Sequence, residues 1–114
     1  MIGIIGAMDV ELDMLKSALT DRQEKNISNI DFVSGKLSGK EVVIAKCGIG
    51  KVFAAICAQT MILEYAPEYI INTGVAGALK SGISVGDVVI SLNAVQHDMD
   101  TSALGDPKGL VSGI

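Results

Sequence analysis

Three carboxylates follow the first apolar run of the sequence. The run Ile2–Gly6 predicts a short buried strand, and Asp9, Glu11 and Asp13 come directly after it. Acidic side chains in the first turn of a helix interact favourably with the helix dipole, and this role suits all three. In open α/β sheets, however, ligands bind at the carboxyl ends of strands. There a carboxylate such as Glu11 would be partly desolvated, which would raise its pKa towards the range useful for a general base.

The glycine-containing segment Gly48–Lys51 is a second candidate, for ligand binding. A Walker A phosphate loop requires glycine where Ala45 stands and Ser or Thr where Val52 stands, so that motif is excluded. Glycines at the start of a helix still allow the backbone to approach an anion or a polar ligand closely. Two interpretations stay open: the segment is either a tight structural turn or a ligand-binding loop. The structural turn is favoured, because a single short glycine motif is weak evidence for a ligand.

The histidine and the cysteines indicate structural roles. His97, the only histidine, is flanked by carboxylates in His97-Asp98-Met99-Asp100 and could bind a metal or relay a proton. No second His or Cys is placed to complete a metal site, so a local structural hydrogen bond is favoured. Cys47 and Cys57 lie in apolar surroundings and are interpreted as small core residues rather than metal ligands or a disulfide pair. No metal site is therefore predicted.

Apolar periodicity predicts the elements that position these residues. Large apolar residues recur at helical spacing from Met8 to Leu19, and a turn at Ser38-Gly39-Lys40 separates two β-prone runs into a hairpin. The tail from Gln96 to Ile114 shows no clear element. The predicted elements, in chain order, are the strand Ile2–Gly6, the helix Met8–Leu19, the hairpin strands Ile30–Leu37 and Glu41–Lys46, the helix Val52–Tyr65, the buried strand Tyr69–Asn72 and the strand Val88–Val95.

Together these elements predict an α/β fold that is not complete. Several strands look buried on both faces, which is typical of a sheet covered by helices on both sides. Two helices are too few for that cover, and Val52–Tyr65 is itself apolar on most sides, as in a central helix or one at a subunit interface. Either a partner supplies the missing cover or the chain stops before its domain is finished, and the featureless ending favours the second explanation.

Length and composition exclude several classes of protein. With 114 residues, 49% of them hydrophobic, the chain is long enough for one domain with a core and too short for two. A net charge of −4 without a cluster of Lys and Arg argues against a nucleic-acid-binding surface. No apolar run approaches the roughly 18 residues needed to span a bilayer. We therefore expect a soluble cytoplasmic protein that binds neither nucleic acid nor membrane.

Five motifs in order along the chain resemble those of the 5′-methylthioadenosine/S-adenosylhomocysteine nucleosidases. The first, Gly6-Ala7-Met8-Asp9-Val10-Glu11, matches the G-A-M-x-x-E opening of that family. The resemblance implies a three-layer phosphorylase/hydrolase-like α/β fold with a central mixed sheet flanked by helices. It also implies that residues 1–114 are the N-terminal part of a single nucleosidase domain whose C-terminal half is absent. The other motifs are Gly48–Val52, Ile71–Gly77, Val85–Val88 and His97–Asp100.

The same resemblance implies an activity and a set of site residues. The activity is hydrolysis of the N-glycosidic bond between adenine and a 5′-thio-substituted ribose, by a homodimer, without a metal or an organic cofactor. Glu11 stands at the position of the family glutamate that helps to position and activate the attacking water. The residues expected to contact the nucleoside are Met8 and Ile49, at the ribose and the thio-substituent, then Val75, Ala76 and Gly77, beside the purine and ribose, and Thr101 and Leu104, in the pocket of the neighbouring subunit.

The chain departs from the family pattern at two positions and in its length. Many relatives have Ser where Val75 stands and Phe where Leu104 stands, which leaves the preferred 5′-substituent open. In the family, an Asp that protonates adenine and a Glu that binds the ribose hydroxyls lie in the C-terminal half. Because losing a positioned general acid costs about 10²–10⁴-fold in rate, we expect the 114-residue chain alone to be inactive.

Two other functions stay open. A purine nucleoside phosphorylase of the same fold would bind phosphate, usually through arginine, and the only arginine of the chain, Arg22, lies on a surface segment. That favours water as the nucleophile. A non-catalytic nucleoside-binding or dimerisation module would use the apolar helix Val52–Tyr65 equally well, but it would not depend on the carboxylate of Glu11.

Overall fold

The computed structural model describes residues 1–110, and within them five strands form one mixed sheet in the order β2-β3-β4-β1-β5. The chain divides into two compact units, Met1–Gly77, which holds the sheet, and a second unit that starts at Ala78. In chain order the elements are β1 (Ile2–Gly6), α1 (Asp9–Ser17), β2 (Thr20–Ile27), β3 (Ile30–Leu37), β4 (Lys40–Lys46), α2 (Lys51–Tyr65), β5 (Tyr69–Asn72) and a single 3-10 turn at Ser102–Leu104.

The sheet has a parallel part and an antiparallel part. Strand β1 pairs in parallel with β4 on one side and with β5 on the other. Strand β3 pairs antiparallel with both β4 and β2. Because parallel strands end at the same edge of a sheet, the carboxyl ends of β4, β1 and β5 lie side by side, with Gly6 opposite Lys46 and Ile5 opposite Asn72.

Helices cover both faces of the sheet at β1 and β4. Neighbouring residues of a strand point to opposite faces, so strands covered on both sides are apolar at consecutive positions. The two-sided burial predicted for these strands is confirmed, as are the core positions predicted for the two cysteines. On one face, Leu12 of α1 is buried with Ile4, Val42 and Ile44. On the other, Cys57 and Met61 of α2 are buried with Ile5, Phe32, Val43, Ala45 and Cys47.

A glycine lets α1 approach the end of β1. A Cβ atom at Gly6 would lie only 2.9 Å from Cδ2 of Leu12, closer than packed carbon atoms tolerate. A larger residue would push the first turns of α1 away from the strand. The bare backbone at Gly6 therefore helps to set where the helix begins.

Helix α2 buries only one of its sides. Cys57 and Met61 are fully buried, whereas five other large apolar side chains of the helix are between 48% and 75% exposed. This exposed surface is the one that the sequence assigns to a central helix or to a subunit interface. No helix in residues 1–110 combines the length and the apolar character needed to cross a membrane. The exposed apolar residues of α2 are Val52, Phe53, Ile56, Ile62 and Leu63.

The predicted elements of the first unit are confirmed to within two residues at each end. Strands β1, β3 and β5 have the predicted bounds, and β4 and α2 each begin one residue earlier than predicted. Helix α1 is shorter than its apolar pattern, because Ala18 caps its C-terminus and the chain enters the next strand at Thr20.

Strand β2 is the element that the sequence pattern does not predict. Its residues, TDRQEKNI, are almost all polar and exposed, so no alternation of apolar side chains indicates a strand. It forms because its backbone pairs with β3 across a tight turn at Ser28 and Asn29. Both turn residues have positive φ angles, 52° and 63°, and Ser-Asn at a two-residue connection is the signal that could have indicated the hairpin.

The predicted burial of β5 is wrong. Tyr69 and Ile71 are each about half exposed. The reason is that β5 lies at the edge of the described sheet and pairs only with β1. Apolar composition predicts the strand itself but not its position in the sheet, because the strand order depends on pairing between distant segments.

The predicted strand Val88–Val95 is also wrong. The structure describes no strand in this segment, and Leu92 is 95% exposed. A strand requires a neighbour for its backbone hydrogen bonds, and none of the strands in residues 1–110 pairs with it. The segment just before it forms a turn, with the Asp87 amide donating to the Ser84 carbonyl at 3.1 Å. Of the tail predicted to lack regular structure, residues 111–114 lie outside the described residues, and the rest contains only the 3-10 turn.

Candidate active site

The candidate site lies at the carboxyl ends of β1 and β5. Ala7 and Met8 follow β1, and the loop after β5 runs through Thr73, Gly74 and Val75. The Thr73 amide donates to the Ile5 carbonyl at 2.9 Å, so this loop continues alongside the end of β1. The two adjacent strand ends thus hold the start of α1 next to the loop after β5.

The carboxylate of Glu11 is held by three backbone amides. Its Oε2 accepts hydrogen bonds from the amides of Ala7 and Met8, both at 2.9 Å. Its Oε1 accepts from the amide of Val75 at 3.1 Å. Met8 is the N-cap of α1 and Glu11 is its third residue, so the bond from Met8 is the one that an acidic third residue forms with the N-cap amide, and the bond from Ala7 involves the residue before the cap. The third bond ties the same carboxylate to a segment 64 residues away.

These hydrogen bonds lower the pKa of Glu11. The largest cause is the bond from the Val75 amide, followed by the bond from Met8, and together the amides outweigh the opposing effect of desolvation. The expectation that desolvation raises this pKa is therefore wrong, because the side chain is only partly buried and all three donors stabilise its charged form. Glu11 is ionised at neutral pH and its carboxylate is oriented by the backbone.

The three acidic residues after β1 have different surroundings. Oδ2 of Asp9 pairs with Nζ of Lys46 at 2.7 Å, and this hydrogen bond lowers the pKa of Asp9 and raises that of Lys46. Asp9 and Glu11 lie in the first turn of α1, as the helix-dipole interpretation expects. Asp13 is the fifth residue of the helix, beyond the first turn, so the dipole role expected for it there is wrong. Sequence reasoning missed Lys46 because its partner lies 37 residues earlier.

Five of the seven residues expected to contact the nucleoside follow the parallel strands that end at this edge of the sheet. Met8 follows β1 and is partly buried. Ile49 follows β4 and is 75% exposed, and Val75, which follows β5, is 80% exposed. Ala76 and Gly77 are also exposed. The structure places these residues in loops at one edge of the sheet, and their contacts with a nucleoside remain a prediction.

The glycine segment after β4 forms a turn that leads into α2. Gly48 and Gly50 have φ angles of 86° and 109°, values that favour glycine. Gly50 is the N-cap of α2, and a Cβ atom added to it would meet nothing within 4 Å. Backbone conformation, rather than lack of space, therefore explains this glycine. The structural-turn interpretation is confirmed, and the ligand-loop interpretation remains a prediction.

In the second unit, Leu104 is the last residue of the 3-10 turn, and Thr101 is the residue that precedes the turn. Oγ1 of Thr101 donates to Oδ2 of Asp106 at 3.0 Å, and Leu104 is 80% exposed. His97 is exposed, and the local hydrogen bond expected for it remains a prediction. Within the described part of the chain, no group of three or more His, Cys, Asp or Glu side chains is placed to hold a metal ion.

The two thiols are unsuited to nucleophilic catalysis. Both cysteines are free and buried. Burial raises the pKa of the Cys57 thiol to about 11, and it also raises that of Cys47. Neutral thiols are poor nucleophiles, so Glu11 is the better candidate for a group that takes part in a reaction.

The sequence of the chain is similar to those of known proteins. A family model described as the Phosphorylase superfamily matches residues 1–113. A 5′-methylthioadenosine/S-adenosylhomocysteine nucleosidase of Staphylococcus haemolyticus is 50% identical over 111 residues, which are 97% of this chain and 49% of the relative. The chain spans about half the length of the curated relatives it matches.

Two solved structures are also similar. The nucleosidase of the same name from Neisseria meningitidis, in complex with methylthio-immucillin-A, has a TM-score of 0.96 and 38% identity, and the match covers 99% of this chain and 49% of that one. The one from Colwellia psychrerythraea, in complex with adenine, has a TM-score of 0.95 and 40% identity, and the match covers 97% and 46% of the two chains. The mixed sheet described above is therefore also present in these enzymes.

Proposed function

The chain belongs to the phosphorylase superfamily, and from that premise we propose that it is the N-terminal part of a 5′-methylthioadenosine/S-adenosylhomocysteine nucleosidase. The complete protein would hydrolyse the N-glycosidic bond of both nucleosides and release adenine and the 5′-thio-substituted ribose. Relatives with that name match across nearly the whole chain, and two of the similar structures hold adenine or methylthio-immucillin-A.

The observation that carries this proposal is the placement of the Glu11 carboxylate. It lies where strands β1 and β5 end, it is ionised, and backbone amides orient both of its oxygens. In glycoside hydrolysis, positive charge develops on the ribose as the leaving group departs, and water attacks the opposite face of the ring. A fixed carboxylate can orient that water, accept its proton and stabilise the developing positive charge.

The surroundings of Glu11 favour water over phosphate as the nucleophile. Backbone amides at a helix start can bind phosphate, but here the amides of Ala7, Met8 and Val75 are already used by a carboxylate. A phosphate placed there would also meet that negative charge. Arg22 lies in β2, at the opposite edge of the sheet from β5, and pairs with Glu24 at 2.5 Å.

The remaining site residues form the proposed nucleoside pocket. Met8 and Ile49 would contact the ribose and the thio-substituent, and the loop Val75–Gly77 would lie beside the purine and ribose. Thr101 and Leu104 would complete the pocket of a second subunit in a homodimer. The exposed apolar residues of α2 support self-association, since large exposed apolar patches mark interaction sites.

Other features of the proposal rest on composition and on the cysteines. The reaction would need neither a metal nor an organic cofactor. The net charge of −4 supports a protein that does not bind nucleic acid. Two free cysteines in one core support a reducing cytoplasmic location, where disulfides are rare.

The test is replacement of Glu11 by Gln in the complete protein, with adenine release from 5′-methylthioadenosine as the measurement. Glu11→Gln removes the charge and one acceptor oxygen, so the rate should fall by about 10²–10⁴-fold. Binding of a transition-state-like inhibitor should be largely retained. Asp9→Asn, which changes an exposed carboxylate in the same helical turn, is the matched control and should keep most of the activity.

Three outcomes would contradict the proposal. Adenine release that requires phosphate would indicate a phosphorylase. A complete protein that binds the nucleoside but releases no adenine would indicate a non-catalytic binding module. Full activity of Glu11→Gln would show that the reaction does not require the carboxylate of Glu11. Thermal unfolding of each variant separates loss of chemistry from loss of folding.

A further inference from the structure

The hydrogen bonds of Glu11 leave one position on its carboxylate unused. An ionised carboxylate has about four acceptor positions, two on each oxygen. The amides of Ala7 and Met8 occupy both positions on Oε2, and the Val75 amide occupies one on Oε1. A water that attacks the ribose can therefore be held by Oε1, and Oε2 is committed to the start of α1.

The absence of a Cβ atom at Gly74 leaves room for Oε1 of Glu11. A Cβ atom at this residue would lie 2.5 Å from Oε1 of Glu11 and 3.0 Å from its Cδ. These distances are too short for packed atoms, so a methyl group and the carboxylate cannot both occupy their positions. The carboxylate is the end of a flexible side chain, and it is the group that would move.

The backbone of Gly74 gives no other reason for glycine. Its φ angle is not among the positive values found at seven other glycines in residues 1–110. Alanine is therefore compatible with the local backbone, and an alanine here would also lower the entropy of the unfolded chain. The closeness of Glu11 is what makes glycine necessary.

We propose that Gly74 is a positioning residue for the reaction, because its bare Cα lets Oε1 of Glu11 bond to the Val75 amide and still present one acceptor position to the attacking water. This inference rests on the proposed nucleosidase function and adds to it the identity of the accepting oxygen. In this proposal Gly74 acts through Glu11 rather than on the substrate.

The step assigned to Oε1 is a proton transfer. As the bond between the ribose carbon and the adenine nitrogen breaks, its electron pair leaves with adenine. The oxygen of water forms the new bond to that carbon, and one water proton passes to Oε1. Adenine takes up one proton from an acid or from solvent, and Glu11 later returns its proton to solvent, so the sum is hydrolysis.

The experiment is Gly74→Ala in the complete protein. A methyl group at this position displaces Oε1 and breaks its bond to the Val75 amide. Because a misplacement of about 1 Å can cost about 10²-fold in rate, kcat should fall by about that factor while KM for 5′-methylthioadenosine changes little. The pKa on the acid side of the kcat profile should rise, since the Val75 bond is the largest cause of the low pKa of Glu11.

A second variant separates this effect from a general loss of structure. Thr73 lies in the same loop, and its amide bonds to the Ile5 carbonyl rather than to Glu11. Thr73→Ala keeps that backbone bond and should leave the pKa on the acid side unchanged. Other titratable groups at this edge include Asp9 and Lys46, which pair with each other, Cys47, whose pKa is raised chiefly by burial, and Lys51 at the start of α2.

A double-mutant cycle gives the decisive readout. If Gly74 acts through Glu11, Gly74→Ala should cause little further loss of activity in a Glu11→Gln protein. An equal loss in both backgrounds, or an active Gly74→Ala with an unchanged pH profile, would overturn the inference and leave the nucleosidase function standing. A wild-type protein that releases no adenine would instead overturn the proposed function.

Discussion

At the scale of single residues, the carboxylate of Glu11 combines a structural role with a proposed chemical role. The amides of Ala7 and Met8 are the partners that any acidic residue at this position of a helix could find. The amide of Val75 is supplied by another strand end. The same bonds that orient the carboxylate also lower its pKa, so it is always ionised at neutral pH but is a weak proton acceptor. Its contribution to a reaction therefore depends more on orientation and charge than on basicity.

The lowered pKa of Glu11 predicts how stability depends on pH. A group with a lower pKa in the folded state stabilises the fold above its unfolded pKa, about 4.3 for Glu, and this contribution is lost as the pH falls through the folded value. We expect the difference in free energy of unfolding between wild type and Glu11→Gln to be larger at pH 7 than at pH 3.

Urea unfolding at a series of pH values measures this difference. Asp9→Asn is a suitable control, because the pKa of Asp9 is lowered chiefly by an exposed partner, Lys46, and exposed ion pairs are screened by salt. Added salt should therefore reduce the effect of Asp9→Asn more than that of Glu11→Gln. A stability difference for Glu11→Gln that is the same at both pH values would contradict the hydrogen-bonded geometry.

At the scale of elements, α1 has to be held on the sheet for Glu11 to reach β1 and the loop after β5. The only buried residue of α1 is Leu12, which packs with Ile4 and Ile44 beside the bare backbone of Gly6. Leu12, the residue after Glu11, therefore holds α1 on the sheet. A change in the packing of Leu12 should also move the carboxylate of Glu11.

Leu12→Ala should therefore destabilise the protein strongly. Replacing a fully buried leucine by alanine costs about 2–5 kcal/mol, through lost burial and the cavity left behind. Val10, two residues earlier in the same helix, is 77% exposed, so Val10→Ala should change stability by no more than about 0.5 kcal/mol. Equal effects of the two changes in chemical unfolding would show that α1 does not pack as described.

At the scale of the whole molecule, the chain holds one proposed catalytic group and lacks the rest of the relatives' length. The first unit contains the sheet, α1 and the proposed water-orienting carboxylate. The expected general acid and ribose-binding glutamate belong, by resemblance, to the second half of the family's domain. The proposed mechanism therefore requires both halves of the relatives' length.

The 114-residue chain by itself should release adenine far more slowly than the complete protein. Loss of a positioned general acid alone accounts for about 10²–10⁴-fold. Adenine release by both proteins at equal concentration measures the ratio, with circular dichroism to show that the shorter chain is folded. Comparable rates would mean that the necessary groups all lie within residues 1–114.

The apolar pattern of the sequence alone predicted the presence and approximate bounds of β1, the β3–β4 hairpin, both helices of the first unit and β5. These elements are local, and their periodicity or their unbroken apolar runs reflect the faces that they bury. The motif around Glu11 and its place after a strand also followed from sequence. Strand β2 did not, because its polar side chains carry no pattern and its pairing is made by the backbone.

Only the tertiary structure decided the burial of β5, the absence of a strand at Val88–Val95 and the direction of the Glu11 pKa. The first two depend on which segments become neighbours in the sheet. The third depends on an amide 64 residues away, which the parallel pairing of β1 and β5 brings to the carboxylate. Residue types and spacing identify a carboxylate that could react. The electrostatic environment that sets the pKa of this carboxylate also depends on a backbone amide that is distant in sequence.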